Sequence, residues 1–189
     1  MILYIIICYD SIVERNEKMK KLISAILVLC MMLSFAACSG DDKIPDGMKN
    51  VASDKDAYYL YVPQSWVDNN NGVVGAYYSA IDRSNISVTA YSGEEFVSSE
   101  EYWASFKADI DNIASEFEVI KENEPKVIGG KNAIQHTYKM TVSGVKYKVQ
   151  QMLVAYSNIM YVVTYTAAED RFDAHTEDIQ RIIDEFKFK

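Results

Sequence analysis

Alternation of apolar and polar residues along the second half of the chain predicts a run of long β-strands joined by tight hairpins. Residues 132–142 form one arm, Ser143-Gly144 the turn, 145–156 the next arm, Ser157-Asn158 a second turn and 159–166 a third arm. Along 145–156 the first half is two-faced. The second half is apolar on both sides, which assigns that strand to the centre of the sheet. Earlier, residues 57–62 read as an aromatic and β-branched strand ended by Pro63, and 73–81 with 86–91 read as an antiparallel pair.

Between these strand groups the period changes. Trp103, Phe106, Ile110, Ile113 and Phe117 recur at steps of three and four, the spacing of one helical face, and Ser98 with Glu101 makes a capping box at its start. A second such face closes the chain with Phe172, Ile179, Ile182, Ile183 and Phe186, led by Glu169 and Asp170. His175 is expected on this last helix, and His136 in a strand. Strands, helix, strands, helix is the order of an α+β domain, a mostly antiparallel sheet covered by helices.

Composition changes this picture little. The chain has 189 residues, 49% hydrophobic and 24% charged, ordinary for a folded protein. Charge matters more. Residues 39–189 carry 15 basic against 24 acidic side chains, with the lysines scattered, so no nucleic-acid partner is expected. The three cysteines, Cys8, Cys30 and Cys38, all precede the predicted domain, which therefore has no thiol for a disulfide, a metal cluster or a nucleophile.

The N-terminus reads as an address. Met19-Lys20-Lys21 precedes an apolar run that reaches only 16 residues even when extended to Ala37, short of the roughly 20 a spanning helix needs. Ala36-Ala37-Cys38 resembles a lipobox, the motif of bacterial lipoprotein signal peptidase, with Phe35 where that family usually has Leu. The resemblance implies that Cys38 is the lipid attachment site and the mature N-terminus. Two acyl chains would hold the protein stably on the outer face of the bacterial cytoplasmic membrane. Ser34-Phe35-Ala36 also suits an ordinary export cut, and an uncleaved anchor is the third option. The expected division is 1–18 as an extension ahead of the true start at Met19, 19–37 as signal peptide, 38–56 as flexible tether and 57–189 as the domain. A real leading hydrophobic hook is the alternative for 1–18.

Across that domain three segments resemble the PsbP-like superfamily, named for an extrinsic photosystem II subunit. They are Tyr61-Val62-Pro63-Gln64-Ser65-Trp66; Ile128-Gly129-Gly130-Lys131-Asn132-Ala133 with Tyr138 and Gly144; and 161–168 followed by Phe172 and the ending 182–188. Asp184-Glu185 departs from the Ser usually seen before the final Phe. The resemblance implies an α/β/α sandwich and, for bacterial members, a lipid-anchored protein without an established activity. It transfers no ion-linked residues.

Candidate chemistry is sparse. His136 and His175 lack metal-ligand spacing and no Gly-x-Ser-x-Gly elbow is present. The carboxylates Glu94-Glu95, Glu100-Glu101 and Asp109/Asp111 suit a helix start and its solvent side. Asp68-Asn69-Asn70-Asn71-Gly72 is expected to be a turn, because it lacks the bidentate Glu of a calcium loop. Twelve of the 14 tyrosines lie beyond Cys38, most on predicted strands. They read either as ordinary half-buried strand residues or as an aromatic surface for protein or glycan. The expectation is a non-enzymatic module without cofactor or metal that works through an unknown protein partner. A solute- or glycan-binding receptor using the tyrosine-rich sheet face is the alternative.

Overall fold

The computed structural model describes residues 43–69, 72–92, 95 and 98–189. The signal peptide, Cys38 and the extension ahead of Met19 lie outside these residues. Residues 44–189 form one compact unit. Its elements in chain order are β1 (Met48–Asn50), β2 (Tyr58–Tyr59), β3 (Tyr61–Pro63), β4 (Val67–Asp68), β5 (Val74–Tyr77), β6 (Asn85–Ser92), α1 (Ser99–Asp109), β7 (Glu116–Ile128), β8 (Lys131–Val142), β9 (Val145–Tyr156), β10 (Ile159–Ala168), α2 (Thr176–Glu185) and β11 (Lys187–Phe188). Among the described residues, no helix is long and apolar enough to cross a membrane.

Seven strands build one antiparallel sheet in the order β4-β5-β6-β10-β9-β8-β7. Three successive hairpins join β7 to β10. Each turns on two residues of positive φ, namely Gly129 and Gly130 (55° and 71°), Ser143 and Gly144 (51° and 80°), and Ser157 and Asn158 (49° and 59°). That geometry matches the right-handed twist of the flanking strands, so each register is set locally. Strand β9 lies between β8 and β10, with Met152, Leu153 and Val154 fully buried as the two-sided apolar pattern requires.

Both faces of the sheet are covered. Along β9 and β10 alternate residues serve opposite layers. Met152, Val154, Tyr161, Val163 and Tyr165 meet Ile179, Ile182, Ile183 and Phe186 at α2, together with Leu60, Val62 and Trp66. Val149, Leu153, Met160 and Val162 meet Tyr102 and Trp103 of α1 instead. The result is the α+β class and the α/β/α layering expected.

Several boundaries differ from the expectation. Residues 44–56 do not behave as a tether, because β1 pairs with β3 and Met48 and Ala52 are buried in the α2-side core. The strand expected over 57–62 is split at Leu60, and its two parts pair separately with β11 and β1. Phe117 does not continue the first helix. The chain turns at Ile110–Asn112, Ile113 is left exposed, and Phe117 enters β7, where ladder pairing with β8 overrides the helical spacing. Its ring still faces Trp103 and Phe106, at 6.4 and 6.2 Å. His175 lies in a 3-10 turn before α2 rather than on the helix.

Candidate functional site

The loop from β5 to β6, residues 78–84, is tied down at nearly every position. Tyr78 N–H donates to Ser84 O (2.8 Å), Ser79 N–H to Asp82 O (2.9 Å) and Asp82 N–H to the Ser79 hydroxyl (3.0 Å). The hub is Asp82. One carboxylate oxygen accepts from the Ser84 N–H and hydroxyl, at 3.0 and 2.6 Å. The other lies 2.8 Å from His175 Nε2, 93 residues away in sequence. Burial by itself would raise the Asp82 pKa, but the two Ser84 bonds and His175 outweigh it and hold the group at about 2.

This arrangement decides what the cluster can do. A nucleophilic triad needs the histidine between serine and carboxylate, so that the ring can take the hydroxyl proton. Here the carboxylate stands in the middle and Ser84 spends its proton on Asp82. The cluster therefore lacks the order of a nucleophilic triad and fastens the loop. His175 is buried and packs against Tyr78 (ring centroids 4.2 Å) and Trp66 (6.3 Å), so the loop is anchored to the core. At the tip Ile81 is 97% exposed. Beside it lies a cavity of about 450 Å³ whose walls include Tyr78, Arg83, Val145, Tyr147 and Arg171.

A second polar cluster lies under α1. Strand β7 carries two register shifts between Val119 and Glu124, and Asn123 there adopts φ 57°. The Asn123 N–H donates to Nδ1 of His136 at 3.3 Å. The His136 ring is 1% exposed and stacks on Trp103 with centroids 4.0 Å apart. Trp103 Nε1 and Lys107 Nζ both donate to Glu122. With Nδ1 accepting, the proton of the neutral ring belongs on Nε2. That atom and Oε1 of Gln151, directly opposite on β9, are both buried without a partner among the described residues. A donor and an acceptor side by side suit a bridging water. Burial pushes the His136 pKa below its ordinary value.

The other residues singled out by sequence are dispersed. Asp68 ends β4 and pairs with Lys49 at 2.6 Å, while Asn70, Asn71 and Glu94 lie outside the described residues. Glu100 and Glu101 occupy the first turn of α1, where the Ser98 hydroxyl accepts from the Glu101 N–H (3.1 Å), and Asp109 and Asp111 are exposed at its far end. Among the described residues no group of three potential ligands could hold a metal ion. Of the twelve described tyrosines six are buried, five half-buried and Tyr78 alone exposed, so among the described residues they form no fully open stripe. Tyr58, Tyr61, Tyr138, Tyr161 and Tyr165 are buried, because the layers on both faces cover them. Sequence reasoning missed Ile81, Asp82, Arg83 and Arg171. An isoleucine inside a short Ser-Ala-Ile-Asp-Arg-Ser segment looks like a strand end until its neighbours are known.

Comparison with known proteins points one way. No curated protein sequence matches the chain. Among solved structures it is similar to cyanobacterial PsbP (CyanoP) from Synechocystis sp. PCC 6803, with a TM-score of 0.56 and 17% identity over 81% of this chain and 98% of the other. It is also similar to LpqN, described as involved in cell envelope biogenesis of Mycobacterium tuberculosis, with a TM-score of 0.57 and 14% identity over 75% and 90%. The Saccharomyces cerevisiae Ran-binding protein Mog1p follows at 0.52 and 11%, over 75% and 95%. At such identities these likenesses establish the fold. The family rests on sequence: the family model described as PsbP-like protein matches residues 62–188, which span the sheet and both helical layers, and the chain belongs to the PsbP-like family.

Proposed function

We propose that this chain is a non-enzymatic accessory module, held on the outer face of the bacterial cytoplasmic membrane by a lipid on Cys38, that acts by binding another protein. The observation that carries the reading is the use made of the polar clusters. Asp82, Ser84 and His175 fasten a loop, His136 supports a bulge, and the exposed feature they leave is an apolar tip. LpqN, a neighbour in fold, is described as involved in cell envelope biogenesis, in keeping with an extracytoplasmic role.

One observation favours the solute- or glycan-binding alternative. Ser87, Thr89, Thr164 and Thr166 line the α1-side face of β6 and β10 and are only half-buried, so hydroxyl groups remain reachable there. Fractionation and thermal shift separate the readings. The full chain should sediment with membranes and incorporate radiolabelled palmitate, and Cys38→Ser should abolish labelling and free it. A panel of sugars and metal ions should leave the melting temperature unmoved. A sugar that raised it by several degrees would establish the receptor instead.

A further inference from the structure

We infer that the loop end around Ile81 is the docking surface, and that it takes an acidic protein segment carrying an apolar side chain, whose carboxylates pair with Arg83 and Arg171. This rests on the reading of the chain as a protein-binding module and names its contact face.

Three observations meet at this place. First, the surface is preorganised: Ile81 is held out on a loop fixed by five hydrogen bonds and anchored to buried His175. Binding therefore orders little that is not already ordered. Second, the apolar contact area is concentrated. Ile81 is 97% exposed, Val145 45% and Tyr78 39%, and all three line one concave region of about 450 Å³. Burying them would remove apolar surface that none of the described residues covers.

Third, the charge is unmatched. The protein has a net charge of −8, and Lys49, Lys107, Lys121, Lys139 and Lys148 each pair with a carboxylate. Arg83 and Arg171, like Lys126, Lys146 and Arg181 elsewhere, make no such pair among the described residues; what sets the two arginines apart is that they line the same concave region as Ile81, together with Asp82 and Asp170. The Asp82 carboxylate is already committed to Ser84 and His175. Arg83 lies over the Tyr77 ring at 4.0 Å, which orients its guanidinium plane. Aromatic and arginine side chains around an apolar centre have the composition of an interaction hot spot. The free guanidinium groups select carboxylates as complement. An anionic lipid surface is the weaker fit, because the acidic body of the protein would be repelled by it.

The test uses the full chain in detergent micelles and a displayed library of random 12-residue peptides. Selected peptides should be enriched in Asp or Glu beside an aliphatic or aromatic residue. Their affinity should fall about tenfold or more for Arg83→Glu and for Arg171→Glu. Ile81→Ser should weaken them comparably, added salt should weaken them, and Val127→Ser on the β7 edge should not. Unchanged melting temperatures will confirm that each variant folds, as expected for exposed side chains.

Selection of no peptide, selection of peptides without carboxylates, or indifference to the Ile81, Arg83 and Arg171 variants alike would overturn the docking surface. So would arginine-dependent co-sedimentation with vesicles containing phosphatidylglycerol in place of peptide binding. Peptides that bind but ignore the loop variants would leave the protein-binding reading intact. A sugar-induced thermal shift, by contrast, would remove that reading.

Discussion

His136 is buried and Asp82 half-buried, and the two titrate in opposite circumstances. Burial holds the His136 ring below its ordinary pKa of 6.5, with Lys107 working in the same direction and Glu122 and Glu100 against it. The unfolded chain therefore takes up a proton near pH 6.5 that the folded protein refuses until lower pH. Stability contributed by the neutral ring is complete above that value and is lost as pH falls below it. The melting temperature should drop between pH 7.5 and 5, and His136→Gln should flatten this part of the profile. Asp82 acts further down: its folded pKa of about 2 lies below the ordinary 3.8, so its contribution, on the order of 1–2 kcal/mol, is present above about pH 4 and fades toward pH 2. Asp82→Ala leaves His175 and Ser84 without their acceptor and should cost about 2–3 kcal/mol in urea unfolding at neutral pH. A loss below about 0.5 kcal/mol would mean that the fastener is idle.

At the scale of elements, the hairpins were legible in advance because their cause is local. Ser143-Gly144 and Ser157-Asn158 supply the positive φ that a two-residue hairpin requires, and the strands on either side keep the expected register. Strand β7 was not legible. Its charged sequence and Pro125 argue against a strand, yet it sits at the sheet edge, where proline is tolerated and charges deter further pairing. Two glycines separate local from tertiary cause. Gly144 has φ 80° and open space around it, so Gly144→Ala should cost about 1 kcal/mol from backbone strain alone. A Cβ at Gly75 would lie 2.4 Å from the Ile86 carbonyl oxygen and 2.9 Å from Ser87 Cα, both backbone atoms of the neighbouring strand. Gly75→Ala should therefore cost more, about 2–3 kcal/mol, and an order reversed in denaturant midpoints would refute this account.

For the whole molecule, the N-terminal boundary carries a testable consequence. Residues 44–56 complete the α2-side layer: β1 pairs with β3, and the Asn50 side chain accepts from the Leu60 N–H at 3.1 Å. A chain starting at Ile44 should unfold in one cooperative transition. One starting at Ala57 should lose several kcal/mol or fail to fold, because Tyr61 and Val62 would lose their ladder partner. Equal stability of the two would show that the first strand is dispensable.

The residues by themselves determined whatever depends on near neighbours: the two-residue turns, the helical face around Trp103, the capping serine, the α+β order and the family. Contacts between distant segments could not be read in the same way. Tyrosines spaced along strands look identical whether their face is open or covered, and only the packing of α1 and α2 on opposite sides buries them. Asp82 and His175 stand 93 residues apart, and nothing local to either announces the other. Ile81 is exposed because a bond to the far end of the chain holds its loop in place, a consequence of chain folding that no window of sequence contains.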